Sequence, residues 1–264
     1  DIAKTGAMVA DWDVSVAGVQ LNRFCASGLE AVNLGAMKVR SGFEDLLIAG
    51  GVESMSRVPM GSDGGAWAMD PRTALETDFV PQGISADLIA TIEGYDRAEV
   101  DRFAAQSHAR AAAAWEGGYF DKSVIPVKDA SGITILDRDE TIRPGTTAES
   151  LGKLRPAFSK DGTITAGSAS QISDGAAALV VMSKTKAQEL GLTWIAEVGA
   201  HGVVAGPDST LQSQPARAIA KACEKEGLTP ADLDVVEINE AFAAVGLAST
   251  KELGLDPEKV NPNG

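Results

Sequence analysis

The chain has 264 residues, 44% of them hydrophobic and 23% charged, a soluble globular composition with length enough for two ordinary domains. Its formal net charge of −14 argues against nonspecific binding to nucleic acid or to an anionic membrane. No apolar run approaches the roughly eighteen residues of a membrane span, the opening Asp1-Ile-Ala-Lys has no basic and then apolar leader, and two cysteines, Cys25 and Cys223, fit a reducing, cytoplasmic setting better than a disulfide framework.

In chain order, residues 1–12 read as a short helix with Ile2, Met8 and Val9 inward. Val16, Val19 and Leu21 suit a strand over 16–21, buried on at least one face. From Ser27 to about Gly42, Leu29, Ala31, Val32, Leu34, Ala36, Met37 and Val39 recur at helical spacing on more than one face, the pattern of a buried helix. Residues 46–53 are a second apolar strand, so a strand–helix–strand unit with a parallel pair and a right-handed crossover is expected. Residues 54–81 are rich in turn formers. A short helix starts at Ser85 or Asp87 and runs through Ile92. Asp96 and Glu99 form a capping box that opens a helix to about Glu116, with Val100, Phe103, Ala104, Ala111 and Trp115 on one side. Residues 128–154 show low order, with strand-like pieces at 124–127 and 133–136. The last third alternates: strand 179–182, helix 184–190, strand 194–198, helix 214–226 closed by Gly227, strand 234–239, and helix 240–253 closed by Gly254. Cys223 falls within the 214–226 helix and reads as packing.

Cys25 sits at the break between strand and helix, at or just before the helix N-terminus. The first amides of a helix lack intrahelical partners and carry the positive end of its dipole. A thiolate is stabilised there, and Ala26, Ser27 and Gly28 leave room for a carbonyl to reach the sulfur. A buried structural cysteine is the competing reading. Farther on, Arg143 and Arg155 are cations in an acidic chain, and Ser150, Ser168 and Ser170 offer hydroxyls beside Gly-rich backbone. That mix suits a phosphate-bearing, amide-rich ligand such as a pantetheine chain; a surface loop is the alternative.

The segment Asn22-Arg-Phe-Cys-Ala-Ser-Gly-Leu-Glu-Ala-Val32 closely resembles the active-site segment of the thiolases, most of all their degradative 3-ketoacyl-CoA branch. Three later segments resemble the same family: 143–158, 162–178, and Asn239-Glu-Ala-Phe-Ala243 on a second strand-to-helix turn. The resemblance implies a thiolase-like α/β fold, with two α/β halves and an inserted loop domain. Residues 1–56 would belong to the N-terminal half with the nucleophile, 57–175 to a coenzyme A-binding loop domain, and 176–264 to the C-terminal half. It implies that Cys25 carries the acyl group as a thioester, and that Asn239 fixes a water holding the thioester oxygen. Gln82, Arg143, Ser150, Phe158, Ala166, Ser170 and Phe242 would contact substrate or coenzyme A. Residue by residue the chain departs from the family at 211–215, Leu-Gln-Ser-Gln-Pro where many members have Met-Gly-x-Gly-Pro, and at Gln82, where biosynthetic members carry Met. Neither His108 nor His201 matches the family's catalytic histidine. Its Gly-His-Pro and Cys-x-Gly motifs fall outside these residues, so the 264 residues alone are expected to be inactive.

The expected function is that of an acyl-CoA C-acyltransferase. Its partners would be acyl-CoA and coenzyme A, the latter as substrate, with no metal or redox cofactor, no nucleic acid and no membrane. A cytoplasmic homodimer or homotetramer is expected. The rival readings are a protein that binds acyl-CoA without turnover, and a ketosynthase-like condensing enzyme, against which the Asn239–Phe242 motif speaks.

Overall fold

The computed structural model describes residues 2–208 and 214–264. Its elements run α1 (Ile2–Val9), α2 (Ser27–Arg40), β1 (Leu46–Ser54), α3 (Ala66–Met69), α4 (Pro71–Glu76), α5 (Gln82–Glu93), α6 (Arg97–Glu116), β2 (Val127–Lys128), β3 (Thr134–Leu136), α7 (Ala148–Gly152), β4 (Asp174–Met182), α8 (Lys184–Glu189), α9 (Gln214–Glu226) and α10 (Ala243–Glu252). They form two compact units, Asp1–Met60 with Ser173–Val198, and Gly61–Ile172 with Gly199–Gly264. No helix among the described residues is long and apolar enough to cross a membrane.

The first unit is built on β1 and β4. Their alanine-, valine- and leucine-rich runs pair antiparallel from Leu46–Met182 to Ser54–Asp174. One face of α2 packs on this ladder, with Ala36, Ala49 and Val181 as the core and Val32 and Leu47 beside them. The expected parallel pair is therefore absent. Residues 16–21 form no strand; the carbonyls of Val14 and Val16 instead accept from Lys4 Nζ at 2.9 and 2.6 Å. The helix α1 is held through that lysine and through an Ile2 amide bond to Gln20, not through an apolar stripe. Accordingly Ile2, Met8 and Val9 point outward, Val9 being 83% exposed, and Ala7 is the buried residue. The helix α2 is likewise covered on one side only. A two-stranded sheet is too narrow to cover more, so Leu29, Leu34 and Met37 stay exposed. The expected strand 194–198 is irregular. Its groups are taken up by side chains: Lys184 Nζ lies 5.0 Å from the Trp194 ring centroid and 3.2 Å from Glu197, and Arg40 donates to the Val198 carbonyl.

The second unit is centred on α5, α6 and α10. Small residues on these helices (Ala86, Ala90, Ala243, Ala244, Ala248) pack with Ile89, Val100, Ile164 and Val245. Burying a valine or isoleucine side chain such as Val100 or Ile164 fully contributes about 2 kcal/mol. The capping box of α6 forms as expected, Asp96 accepting from the Glu99 amide at 2.8 Å and Glu99 from the Asp96 amide at 2.9 Å. Arg97 ties α6 to α7. It donates to Asp101 at 2.8 Å and to the carbonyls of Leu151 and Leu154 at 2.6 and 3.0 Å. Asp101 is 1% exposed, and its burial pushes the carboxyl above its ordinary range against the pull of Arg97.

Four sequence expectations are adjusted in this unit. The helix α5 begins at Gln82, before Ser85 and Asp87, because Pro81 at φ −56° takes the cap position. In the region 128–154 the strand-like piece expected at 133–136 forms as β3, and the helix α7 is added to it. Residues 234–239 form no strand beyond a single parallel bridge from Val236 to Val260, since Asn261 occupies the polar groups of Ile238. The last helix starts at Ala243, not at 240, because the backbone of 241–243 bonds to 168–170. Gly227 and Gly254 close α9 and the last helix with positive φ, and Cys223 is buried, as expected.

Candidate active site

Cys25 is exposed. It immediately precedes Ala26, the N-cap of α2. The turn that presents it is built by its neighbours. Asn22 Oδ1 accepts from the Phe24 amide at 2.8 Å. Ser27 Oγ accepts from the Arg23 amide at 2.7 Å and donates to the Phe24 carbonyl at 2.6 Å. Arg23 pairs with Glu30 of the first helical turn at 2.9 Å. These bonds hold Phe24 at φ 50°, a left-handed conformation uncommon outside glycine. Among the described residues the amides of Gly28 and Leu29 have no hydrogen-bond partner, so donors at the mouth of α2 stay free for an anion or a polarised carbonyl.

The second unit gathers most of the other candidate residues. Residues 156–165 fold back on themselves, the Ala157 amide donating to the Ile164 carbonyl at 2.9 Å. This places the Phe158 ring edge-on to Phe242, 5.6 Å between centroids. Phe242, 7% exposed, pairs through its backbone with Ala169, and the Ser170 amide donates to the Ala241 carbonyl at 2.8 Å. Ala166 is exposed on the tight turn closed by Thr165 and Ser168. Gln82 opens α5, and its neighbour Gly83 faces the Phe158 ring so closely that an added Cβ would lie 2.2 Å from Cδ1. Gly83→Ala is therefore expected to cost about 1–3 kcal/mol in urea unfolding. The cost should shrink when Phe158→Ala is combined with it; equal costs in both backgrounds would refute the contact.

Asp87, in the sequence only a possible helix start, holds this fold-back. Buried on α5, its Oδ1 accepts from the amides of Thr163 and Ile164, both at 2.8 Å, and its Oδ2 from Ser159 Oγ at 3.0 Å. A lone acid in the apolar run 83–90 is the signal that marks it.

Arg143 lies just ahead of α7, and Ser150 lies within it. Ser150 Oγ returns to the Thr147 amide and closes a capping box. The Arg143 guanidinium donates to Gln171 Oε1 at 3.3 Å, next in sequence to Ser170. Asn239 is exposed and three residues ahead of Phe242, the N-cap of α10; it is therefore not the helix cap. Its segment is fixed by Asn261, which bonds both polar groups of Ile238 at 2.7 and 2.8 Å and Glu240 at 2.6 Å. Burial, and then Glu240, raise the carboxyl of Glu237. His201 contributes its carbonyl to Lys225, and residues 211–213 of the departing segment lie outside the described residues.

Two family models match these residues, the thiolase N-terminal domain over 1–185 and the thiolase C-terminal domain over 192–264. The chain belongs to the thiolase family. This thiolase is 53% identical to a probable acetyl-CoA acetyltransferase of Mycolicibacterium smegmatis, covering 99% of the chain and 71% of that relative. It is 40% identical to a 3-ketoacyl-CoA thiolase of Cronobacter sakazakii, covering 100% of the chain and 70% of the relative. The crystal structure of the dimeric peroxisomal thiolase of Saccharomyces cerevisiae superposes with a TM-score of 0.90 at 38% identity, over 99% of this chain and 67% of that one.

Proposed function

We propose that this thiolase is an acyl-CoA C-acyltransferase whose nucleophile is Cys25. The thiolate attacks C3 of a 3-ketoacyl-CoA, and the C2–C3 bond breaks. The departing acetyl-CoA carbanion takes a proton, and the acyl group stays on sulfur as a thioester. A coenzyme A thiolate then attacks that thioester, the bond to Cys25 breaks, and shortened acyl-CoA leaves. Run backwards, the same steps make a Claisen condensation. The observation that carries the reading is an exposed cysteine on a turn held by side chains, with free amides beside it at a helix mouth.

In this reading Asn239 holds a water against the thioester oxygen. Arg143, Ser150, Phe158, Ala166, Ser170, Phe242 and Gln82 line the path of coenzyme A and the acyl chain, and the division into 1–56, 57–175 and 176–264 assigns the middle part to coenzyme A. Support comes from the exposed Phe158 ring, seated edge-on against buried Phe242, which offers an apolar surface, and from Arg143, a cation beside the Gly-rich 162–178 segment. Coenzyme A enters as substrate, and the reaction as written needs no other cofactor. We place the enzyme in fatty acid β-oxidation in the cytoplasm, as a homodimer or homotetramer. A relative named 3-ketoacyl-CoA thiolase is consistent with the first, and the dimeric yeast structure supports the homodimer.

The decisive experiment is peptide mass spectrometry after mixing the full-length protein with acetoacetyl-CoA. An acetyl group on Cys25 supports the reading. Coenzyme A binding with no adduct at Cys25 would instead favour a protein that holds acyl-CoA without turnover. Iodoacetamide provides a second check: exposed Cys25 is expected to alkylate at least about tenfold faster than buried Cys223 in the folded protein.

A further inference from the structure

His108 has no part in the chemistry above, yet it touches the segment that carries Arg143. It projects half-buried from α6, and its Nδ1 accepts the Arg143 backbone N–H at 3.3 Å. The rest of that segment is pinned locally. Thr146 Oγ1 donates to the Arg143 carbonyl at 2.7 Å, and Gln171, which meets the guanidinium, donates to the Thr141 carbonyl at 2.7 Å. The His108 contact is thus the one recorded hydrogen bond that ties the Arg143 backbone to α6, among the described residues.

An imidazole nitrogen can accept only while it is unprotonated. Two charged groups bear on the ring from the elements packed against it, Arg143 from the 141–147 segment and Glu240 from the stretch before α10. Burial first, and Arg143 second, hold the ring below its ordinary value of 6.5, with Glu240 opposing. The folded state therefore favours neutral His108. Its contribution is complete above the unfolded value and is lost as pH falls through the lower folded value. Protonation would also set an imidazolium beside the Arg143 guanidinium.

We propose that neutral His108 is a positioning residue for coenzyme A, holding the Arg143 segment in its binding form by accepting the Arg143 amide, so that acid loosens the ligand. This rests on the coenzyme A-binding role proposed for Arg143. The test uses the full-length enzyme and coenzyme A itself, titrated calorimetrically at pH 7.5 and at the lower pH where NMR shows the His108 imidazole protonated. His108→Asn keeps an acceptor near the Nδ1 position and cannot titrate, whereas His108→Leu removes the acceptor. At pH 7.5, His108→Leu should bind coenzyme A roughly five- to tenfold more weakly and His108→Asn close to wild type. Between the two pH values the wild type should lose affinity severalfold, while His108→Asn changes much less. Wild-type affinity in His108→Leu, or parallel pH curves for wild type and His108→Asn, would overturn the proposal. Amide exchange of residues 141–147 without ligand, at one fixed pH, should be faster in His108→Leu than in the other two proteins; equal exchange would overturn it as well. If no protein binds coenzyme A, the functional reading fails and the exchange result still decides whether His108 holds the segment.

Discussion

Replacing Cys25 by alanine is expected to lower kcat/KM for thiolysis of acetoacetyl-CoA by at least about three orders of magnitude, because removing a nucleophile removes the covalent route altogether. Serine should fare little better. Its hydroxyl is far less nucleophilic than a thiol, and the free amides of Gly28 and Leu29 can stabilise charge only once an attack has begun. Cys25 is exposed, and the turn around it is built from Asn22, Ser27 and the Arg23–Glu30 pair, not from the sulfur. The same substitution should therefore leave folding stability within about 0.5 kcal/mol. Spectrophotometric thiolysis and calorimetric unfolding of the full-length enzyme check the two halves. A Cys25→Ala enzyme that keeps most of its activity would remove this residue from the chemistry.

The second large effect is one of stability. Asp87→Ala should destabilise the protein by about 3–5 kcal/mol, lowering its melting temperature by roughly 10 °C. The reason is that the Thr163 and Ile164 amides, the latter on a fully buried residue, lose their acceptor, and Ser159 loses its partner with them. Each buried donor left unpaired costs about 1–3 kcal/mol. Asp87→Asn discriminates between the loss of the acceptor and the loss of charge. One oxygen of Asp87 serves both amides, so an asparagine can keep both bonds and turn its NH2 toward Ser159. Its cost should stay below about 1.5 kcal/mol. Equal losses in the two variants would mean that the charge itself, and not the oxygen, holds the fold-back under Phe158.

The two predictions draw on different kinds of information. The turn at Cys25 was legible because its determinants are local. Asn22, Ser27 and the apolar spacing of α2 lie within a few residues of the cysteine, and the segment itself resembles that of a large family. The same holds for the capping box at Asp96 and for the glycines that close α9 and α10. Signals of that kind act through the backbone of their own neighbourhood, so a linear reading can find them.

Where the reading failed, a long-range partner had intervened. The run 46–53 reads as a strand, but nothing in it specifies that it pairs antiparallel with 174–182 in place of parallel with 16–21. The stretch 234–239 looked like a strand, yet Asn261 takes the polar groups that a ladder would have used. In the sequence His108 is only a histidine outside the family's catalytic motif, and Asp87 marks only a possible helix start. Their importance lies in backbone amides 35 and 76–77 positions away.

The sequence by itself thus determined the family, the turn that carries Cys25 and the local punctuation of the helices. Only the tertiary structure decided which strands pair, which face of each helix is covered, and which lone polar side chain supports the loops around Phe158 and Arg143. A chain spells out its donors and acceptors in order, but which distant donor each buried acceptor meets is fixed only when packing excludes water from both.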